Sequence, residues 1–272
     1  MRKVESGIYD KNYFSETDGA AYFDKNEVAP KFFHAVCLSG AAAGDRVLDL
    51  GCGRGDLLMA LSPTNAKAVG LDYSQASLAI TKKTLSRLDP EKRENIRMIG
   101  ADAAALGLSA NRFDFVFMID IVEHLYPEQL LACFRECRRV LKDEGQLIVH
   151  TSPNKLYNDV GYPYWERPIN LVLNKLFGQN LMTRPARNEM DKKVHVNEQT
   201  LWTLEHGLRS AGFRAKVWLG GEYVKPVAKE TRGMQALEVA RQVLCHAFPL
   251  SLFPPLNYLF SNNIWAVATK ET

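Results

Sequence analysis

Five carboxylates and two histidines stand where they could act together. Asp49 closes a short apolar run and opens Asp49-Leu50-Gly51-Cys52-Gly53-Arg54-Gly55, a D-x-G-x-G-x-G turn, followed by a helix-like Asp56–Leu61. Glycines there let backbone N–H groups approach a ligand that a Cβ would hold off, and a helix N-terminus adds positive dipole density. The spacing is G-x-G-x-G, not the G-x-G-x-x-G of dinucleotide and pyrophosphate sites, which disfavours a nicotinamide-dependent oxidoreductase. Asp72 closes the next apolar run, where a carboxylate can accept both hydroxyls of a ribose, and Tyr73 can lie on a base. Asp102-Ala103 closes the third; there a carboxylate can take an exocyclic amino group and the following N–H a ring nitrogen. Each acid alone reads as a solvated loop residue. Three in succession after a glycine turn are hard to explain so.

A second group follows the fourth apolar run: Asp120-Ile121-Val122-Glu123-His124. On a helix, Asp120, Glu123 and His124 share one face at i, i+3 and i+4. His195 lies far along the chain, and His124 and His195 are the candidate catalytic residues. Such groups serve as general base for a hydroxyl or hold a divalent cation against it. Mixed oxygen and nitrogen donors suit Mg²⁺ or Mn²⁺ and are compatible with Zn²⁺. The structural readings stay open: His124 as a hydrogen-bonding residue only, His195 as a helix cap, and His150, one run later, as a core histidine.

The elements needed to place these residues are readable. Apolar runs at Arg46–Leu50, Ala66–Leu71, Ile96–Ile99, Phe113–Ile119 and Gln146–Thr151 predict strands, with helical spacing at Leu57–Leu61, Gln75–Leu88 (Ser74 as N-cap) and Pro127–Leu141. Lys142–Gly145 reads as a turn. Strand–helix alternation implies a parallel sheet with right-handed crossovers, an α/β Rossmann-like fold. Ahead of it, residues 1–43 read as an N-terminal strap, aromatic-rich from Tyr9 to Phe23, then helical from Asn26 to Leu38. Residues 44–272 form the main domain, with insertions at about 152–197 and 220–262. The first carries Tyr157, Tyr162, Tyr164 and Trp165 among basic residues, with helical spacing at Ile169–Phe177; the second carries helical spacing from about Gly233 to Ala247. Glu198–Ala211 reads as a helix, and Phe213–Leu219 and Ile264–Ala268 as the last strands, an antiparallel ending.

In order, the glycine turn, Asp72, Asp102, the fourth strand and Val140-Leu141-Lys142-Asp143-Glu144-Gly145-Gln146-Leu147 resemble the successive motifs of class I S-adenosylmethionine (SAM) dependent methyltransferases. The resemblance implies a seven-stranded mixed sheet with helices on both faces and SAM as cofactor. It puts cofactor contacts at Asp49, Gly51, Gly53, Asp72, Tyr73, Asp102, Ala103, Ile119 and Asp120. The implied activity is O-methylation of a hydroxyl on a small-molecule or saccharide acceptor. Asp120-x-x-Glu123-His124, Ser152-Pro153-Asn154-x-x-Tyr157-Asn158 and His195-x-x-Glu198 also resemble the family that methylates the 2′-oxygen at the 3′ end of small RNAs. There two acids and two histidines hold a divalent cation, which implies Asp120, Glu123, His124 and His195 as metal ligands. The chain departs from that family in having Asp for the first acid and Val196, Asn197 and Gln199 around the second histidine. A nucleic-acid acceptor is therefore the alternative, not the favoured reading. Glu-His pairs with a late His also occur in methyltransferases acting on sugars and quinone precursors. A SAM-binding module without catalysis is the alternative of a different class.

Composition sets the outer bounds. The 272 residues are 46% hydrophobic and 24% charged, with a formal net charge of +3, too mild to argue for nucleic acid. Five cysteines without a C-x-x-C pair disfavour zinc and a disulfide framework and suit a reduced, cytoplasmic chain. Residues 1–10 lack a signal peptide's apolar core. The apolar stretch Val243–Phe260 is interrupted by Pro249, Pro254 and Pro255, which disfavours a transmembrane segment and leaves core packing or peripheral membrane contact.

Overall fold

The computed structural model describes residues 2–16, 22, 25, 27–178, 180–187, 189–220, 240, 243 and 254–271. The helical spacing at 233–247 and most of the apolar stretch 243–260 lie outside them. Seven strands form one sheet in the order β3-β2-β1-β4-β5-β7-β6. These are β1 (Arg46–Leu50), β2 (Lys67–Asp72), β3 (Ile96–Gly100), β4 (Phe113–Ile119), β5 (Leu141–Thr151), β6 (Phe213–Gly220) and β7 (Asn263–Lys270). The first five pair in parallel; β7 runs antiparallel to both β5 and β6. The α/β architecture and antiparallel ending expected from the sequence are both present.

Strand periodicity sorts the core into two faces. Along β4, Val116 and Met118 join one buried cluster with Leu48, Leu50, Phe134 and Leu208. Phe117 and Ile119 join the other, with Val47, Leu57, Leu58 and Ala35. The first face is covered by α6 (Pro127–Val140) and α9 (Leu201–Ser210), the second by α2 (Pro30–Ser39) and α3 (Asp56–Leu61). Coverage on both faces explains why β4 is apolar almost throughout.

Three boundaries differ from the periodicity reading. The helix after β2 stops at Leu85, and Pro90–Glu94 forms a separate short one, because Pro90 fits a helix's first turn and not its interior. Lys142–Gly145 is a bulge inside β5 and not a turn before it: Phe113 pairs with Leu141 but Phe115 with Gln146. The later helix begins at Leu201, not Glu198, because Thr200 caps it in a box with Thr203. Among the described residues, no helix is long and apolar enough to cross a membrane.

The first insertion leaves the end of β5. A π-helical stretch, Tyr157–Glu166, runs directly into α7 (Arg167–Phe177), and α8 (Glu189–Val194) precedes His195. The N-terminal segment crosses the carboxyl edge of the sheet as an irregular stretch over residues 2–5, a 3-10 turn at Ser6–Ile8 and a short α1 (Lys11–Glu16).

Candidate functional site

The site lies at the carboxyl ends of β1, β2 and β4, where an open parallel sheet offers its ligand crevice. After β1 the backbone turns with φ of +71° at Gly51, +52° at Gly53 and +86° at Gly55. An ideal Cβ on Gly51 would stand 2.7 Å from Ile121 Cδ1, and one on Gly55 2.9 Å from Thr81 Cγ2. Both conformation and space therefore demand glycine there. The N–H groups of Gly51 and Cys52 donate to Leu71 O at 2.8 and 3.0 Å, which locks the turn to β2.

Asp49 is 3% exposed, and its Oδ2 has no hydrogen-bond partner. Burial, with the nearby charges of Asp72 and Asp56, pushes its carboxyl up to about 8. A buried, unsatisfied carboxylate oxygen under a glycine turn fits an ammonium group of a ligand. Asp72 accepts from Gly53 N through Oδ2 and from Ser74 N through Oδ1, both at 2.9 Å. Burial raises its pKa; the backbone N–H groups of Ser74, Gly53 and Tyr73 oppose that. Two backbone bonds fix the carboxylate plane and leave lone pairs for two hydroxyls. Ser74 caps the following helix at Ser77 N, as its position in the sequence predicts.

Asp102 is held otherwise. Burial works against its ionisation, but bonds from Lys3 and the Ala104 N–H bring its pKa below the ordinary value. Ala103 beside it is buried. Tyr73 is partly exposed, and its hydroxyl donates to Val4 O at 3.0 Å. Ile119, at the end of β4, is buried. Asp49, the glycine turn, Asp72, Tyr73 and Asp102 stand at or just past the carboxyl ends of β1, β2 and β3, and the strap overlies part of that edge through Lys3, Val4 and Tyr9.

The second group divides. Glu123, His124 and His195 each bring one ligand atom into a set lying within 4.8 Å of one another. Asp120 is not in this set. The sequence reading put it on a helical face with Glu123 and His124; instead it takes φ +54°, and the chain after it makes a 3-10 turn at Val122–His124. That left-handed residue redirects its carboxylate to His150 Nδ1, which donates at 2.6 Å, and to Lys31. Burial disfavours its charge, yet the Lys31 ammonium and His150 hold its pKa far below the ordinary range. His150 also contacts Asn263 Oδ1 at 3.0 Å. Nothing in the sequence around Lys31 signals this partnership.

Glu123 is fully enclosed and accepts from Thr151 Oγ1 at 2.7 Å. Burial, then the Asp120 charge, push its carboxyl up to about 8. Burial and the neighbouring His195 push the His124 imidazole down to about 3. Its neutral ring is the form that ligates metal or accepts a proton. His124 Nδ1 lies 3.2 Å from the Tyr9 hydroxyl of the strap. His195 sits with its ring centroid 5.0 Å from that of His124, and its Nδ1 is 3.9 Å from Glu198 Oε1. Glu198 is in turn gripped by Arg187, which also reaches Asp159 at 2.7 Å. The insertion thus carries its own ion network behind the histidine.

The strap ties these groups together. Ser74 Oγ and Ser77 Oγ donate to Tyr9 O at 3.3 and 3.4 Å, and the Tyr9 ring meets Tyr13, Tyr73 and His124 edge-on. Val4, Tyr9 and Tyr13 share a buried cluster with Val194. Aromatic density at the N-terminus was the legible sign of this; the partners were not.

A family model described as "Methyltransferase domain" matches residues 47–145, from β1 to the bulge in β5. Residues 47–145 thus resemble a methyltransferase domain. SAM is the cofactor of such domains, and the orphaned Asp49 oxygen, the glycine cradle and the fixed Asp72 carboxylate suit its ammonium and ribose. Among curated proteins, a ubiquinone biosynthesis O-methyltransferase of Pseudomonas aeruginosa is 33% identical over 166 residues, covering 61% of this chain and 65% of the relative. Another, of Pseudomonas fluorescens, is 28% identical over 187 residues, covering 69% and 72%. Among solved structures, a SAM-dependent methyltransferase from Archaeoglobus fulgidus aligns with TM-score 0.56 and 19% identity over 92% of this chain and 98% of its own. The methyltransferase domain of bacterial CtHen1-C gives 0.54 and 16% over 89% and 97%. The [4+2]-cyclase SpnF gives 0.57 and 17% over 94% and 85%. These structural likenesses establish the methyltransferase fold. The insertion that supplies His195 lies outside the matched domain.

Proposed function

We propose that this chain is a SAM-dependent O-methyltransferase whose acceptor is a hydroxyl on a small molecule or saccharide. The observation that carries the reading is the meeting of Glu123 and His124 with His195. They come from parts of the chain some seventy residues apart, and they stand beside the edge that would hold the cofactor. SAM, when bound, supplies an electrophilic methyl on its sulfonium. The chain's own work is to orient and deprotonate. Asp49 receives the ammonium, Asp72 the ribose hydroxyls, and Asp102 the adenine amino group once Lys3 releases it. A neutral His124, its pKa held down to about 3, orients the hydroxyl at Nδ1, where the Tyr9 hydroxyl already stands 3.2 Å away, and His195 beside it is the base that takes the proton. The strap covers the reacting groups from water, and alignment of this kind supplies up to about 7–11 kcal/mol in favourable cases.

The same three side chains suit a divalent cation, and its chemistry would be to acidify a diol or catechol-like oxygen. Glu123, His124 and His195 would hold it; Asp120, taken up by His150 and Lys31, belongs to the surroundings of that site. The curated relatives' names point to a quinone precursor, and the two-histidine set also suits the vicinal diol at an RNA 3′ end.

A panel of catechols, sugars and short RNAs, assayed for methyl incorporation from labelled SAM with Mn²⁺ or with chelator, tests the reading. Turnover on a hydroxyl acceptor that falls at least ~100-fold in His195→Ala, with cofactor affinity retained, is the expected result. Undiminished turnover in that variant, or binding of SAM with no turnover on any acceptor, would contradict it.

A further inference from the structure

Gln129 takes no part in the assignments above, and its surroundings are unusual for a glutamine. It lies in the first turn of α6 (Pro127–Val140) and is only 5% exposed. A glutamine amide carries two donor hydrogens at Nε2 and an acceptor at Oε1. The side chain makes a hydrogen bond to the Asp102 carboxylate, to which Nε2 must be the donor. Its Oε1 is buried and meets no hydrogen-bond donor among the described residues. Buried side-chain oxygens are nearly always paired, so one left open next to a cofactor carboxylate calls for a donor that the chain itself does not supply.

The amide is not free to turn round. Asp102 carries its charge here: burial opposes ionisation, but bonds from Lys3, the Ala104 N–H and Gln129 keep its pKa below the ordinary value. A carboxylate only accepts, so the amide presents Nε2 to it and leaves Oε1 as an acceptor. Asp102 and Gln129 Oε1 are thus two neighbouring acceptors, and neither can become a donor while the other is in place. A ligand group that satisfies both must carry two hydrogens on one atom. The exocyclic amino group of adenine does; the oxygen of a 6-oxo purine does not. In this structure the strap covers that corner. Lys3 Nζ bonds Asp102, and Arg2 lies 4.6 Å from the centroid of the Tyr126 ring, at the residue that precedes α6.

We propose that Gln129 is a specificity residue for the purine of the cofactor: Asp102 accepts one hydrogen of the adenine amino group and Gln129 Oε1 accepts the other. The assignment rests on SAM lying at the sheet edge with its adenine at Asp102-Ala103. It adds a side chain from α6 to a site otherwise built from the ends of β1, β2 and β3. It also assigns Gln129 no share in moving the methyl group, so its effect belongs to cofactor affinity and to the choice between purines.

Calorimetric titration of the full chain with S-adenosylhomocysteine and with its N6-methyl homologue, in wild type and in Gln129→Met, tests this. Methionine is close to glutamine in length and lacks a strong acceptor. Wild type is expected to bind the N6-methyl homologue about tenfold or more weakly than the parent, because the methyl replaces a hydrogen that an acceptor uses. Gln129→Met should bind the parent about tenfold more weakly than wild type does. It should also lose most of the preference between the two ligands, since the methyl then meets an apolar side chain. A residue that merely steadied Asp102 would weaken both ligands alike and leave their ratio unchanged, and that result would overturn the assignment. So would equal affinities of wild type for the two ligands, a measurement that needs no variant to fold; circular dichroism checks the fold of Gln129→Met. If wild type binds neither ligand, the cofactor reading falls and this assignment with it. If wild type binds the parent but the ratio does not respond to Gln129→Met, this assignment falls alone.

Discussion

Asp49 is where a single side chain couples folding to ligand binding. Its carboxyl is pushed up to about 8 in the fold, against about 4 in an unfolded chain. Between those values the folded protein holds a proton that the unfolded chain has released. Stability of the ligand-free protein must therefore fall as pH rises across that window. Asp49→Asn should remove one share of the slope of thermal midpoint against pH between about 5 and 8, leaving the share of Glu123, whose carboxyl is raised to a similar value. S-adenosylhomocysteine, whose ammonium favours the ionised carboxylate, should bind wild type more tightly as pH rises over the same range. Midpoints and titration calorimetry at several pH values check both; a wild-type slope retained in the variant would remove the assignment. Legibility at this scale was uneven. Asp49, Asp72 and Asp102 could be placed because each follows an apolar run, and strand ends are where a parallel sheet meets its ligand. Asp120 could not, because one residue in the left-handed region turned its carboxylate away from Glu123 and His124. Lys3 and Lys31 gave no sign at all: neither Arg2-Lys3-Val4 nor Pro30-Lys31-Phe32 sets the lysine in a pattern that names a distant partner.

Among the elements, the turn after β1 carries the clearest energetic demand. Gly51→Ala would impose the left-handed conformation on a residue with a Cβ, a cost of about 1–2 kcal/mol. It would also drive that atom into Ile121, which precedes the Val122–His124 turn. Denaturant midpoint and S-adenosylhomocysteine affinity should fall together, and an unchanged midpoint would mean that the turn relaxes freely. Most strands were legible to within about two residues, β4 best because it is covered on both faces and reads as one apolar run; β5 was not, since its bulge hides a start at Leu141. Helix ends were less so, being decided by local devices such as Pro90 and the Thr200–Thr203 box. The strap was visible only as a crowd of aromatics. Its path over Tyr73, Ser74 and His124 depends on contacts more than sixty residues apart, which periodicity does not carry.

At the scale of the molecule, a sheet edge provides one half of the site and an insertion provides the other. The matched domain holds the groups suited to a nucleoside; the segment after β5 contributes His195 and the ion network of Arg187, Glu198 and Asp159. The strap bridges the two, with Lys3 on Asp102 and Tyr9 on His124 at the sheet edge and Val4, Tyr9 and Tyr13 packed with Val194 of the insertion. This division explains how a common fold acquires its own acceptor: the cofactor half is fixed by sheet geometry, and the acceptor half is free to vary in the insertion. Both halves depend on a nucleoside cofactor seated at the sheet edge. Calorimetric titration of S-adenosylhomocysteine into wild type and Asp72→Ala tests that most directly. One-to-one binding by wild type, weakened about tenfold or more when the ribose-facing carboxylate is removed, is the predicted result. Equal affinities in the two proteins, or no binding by wild type, would contradict it.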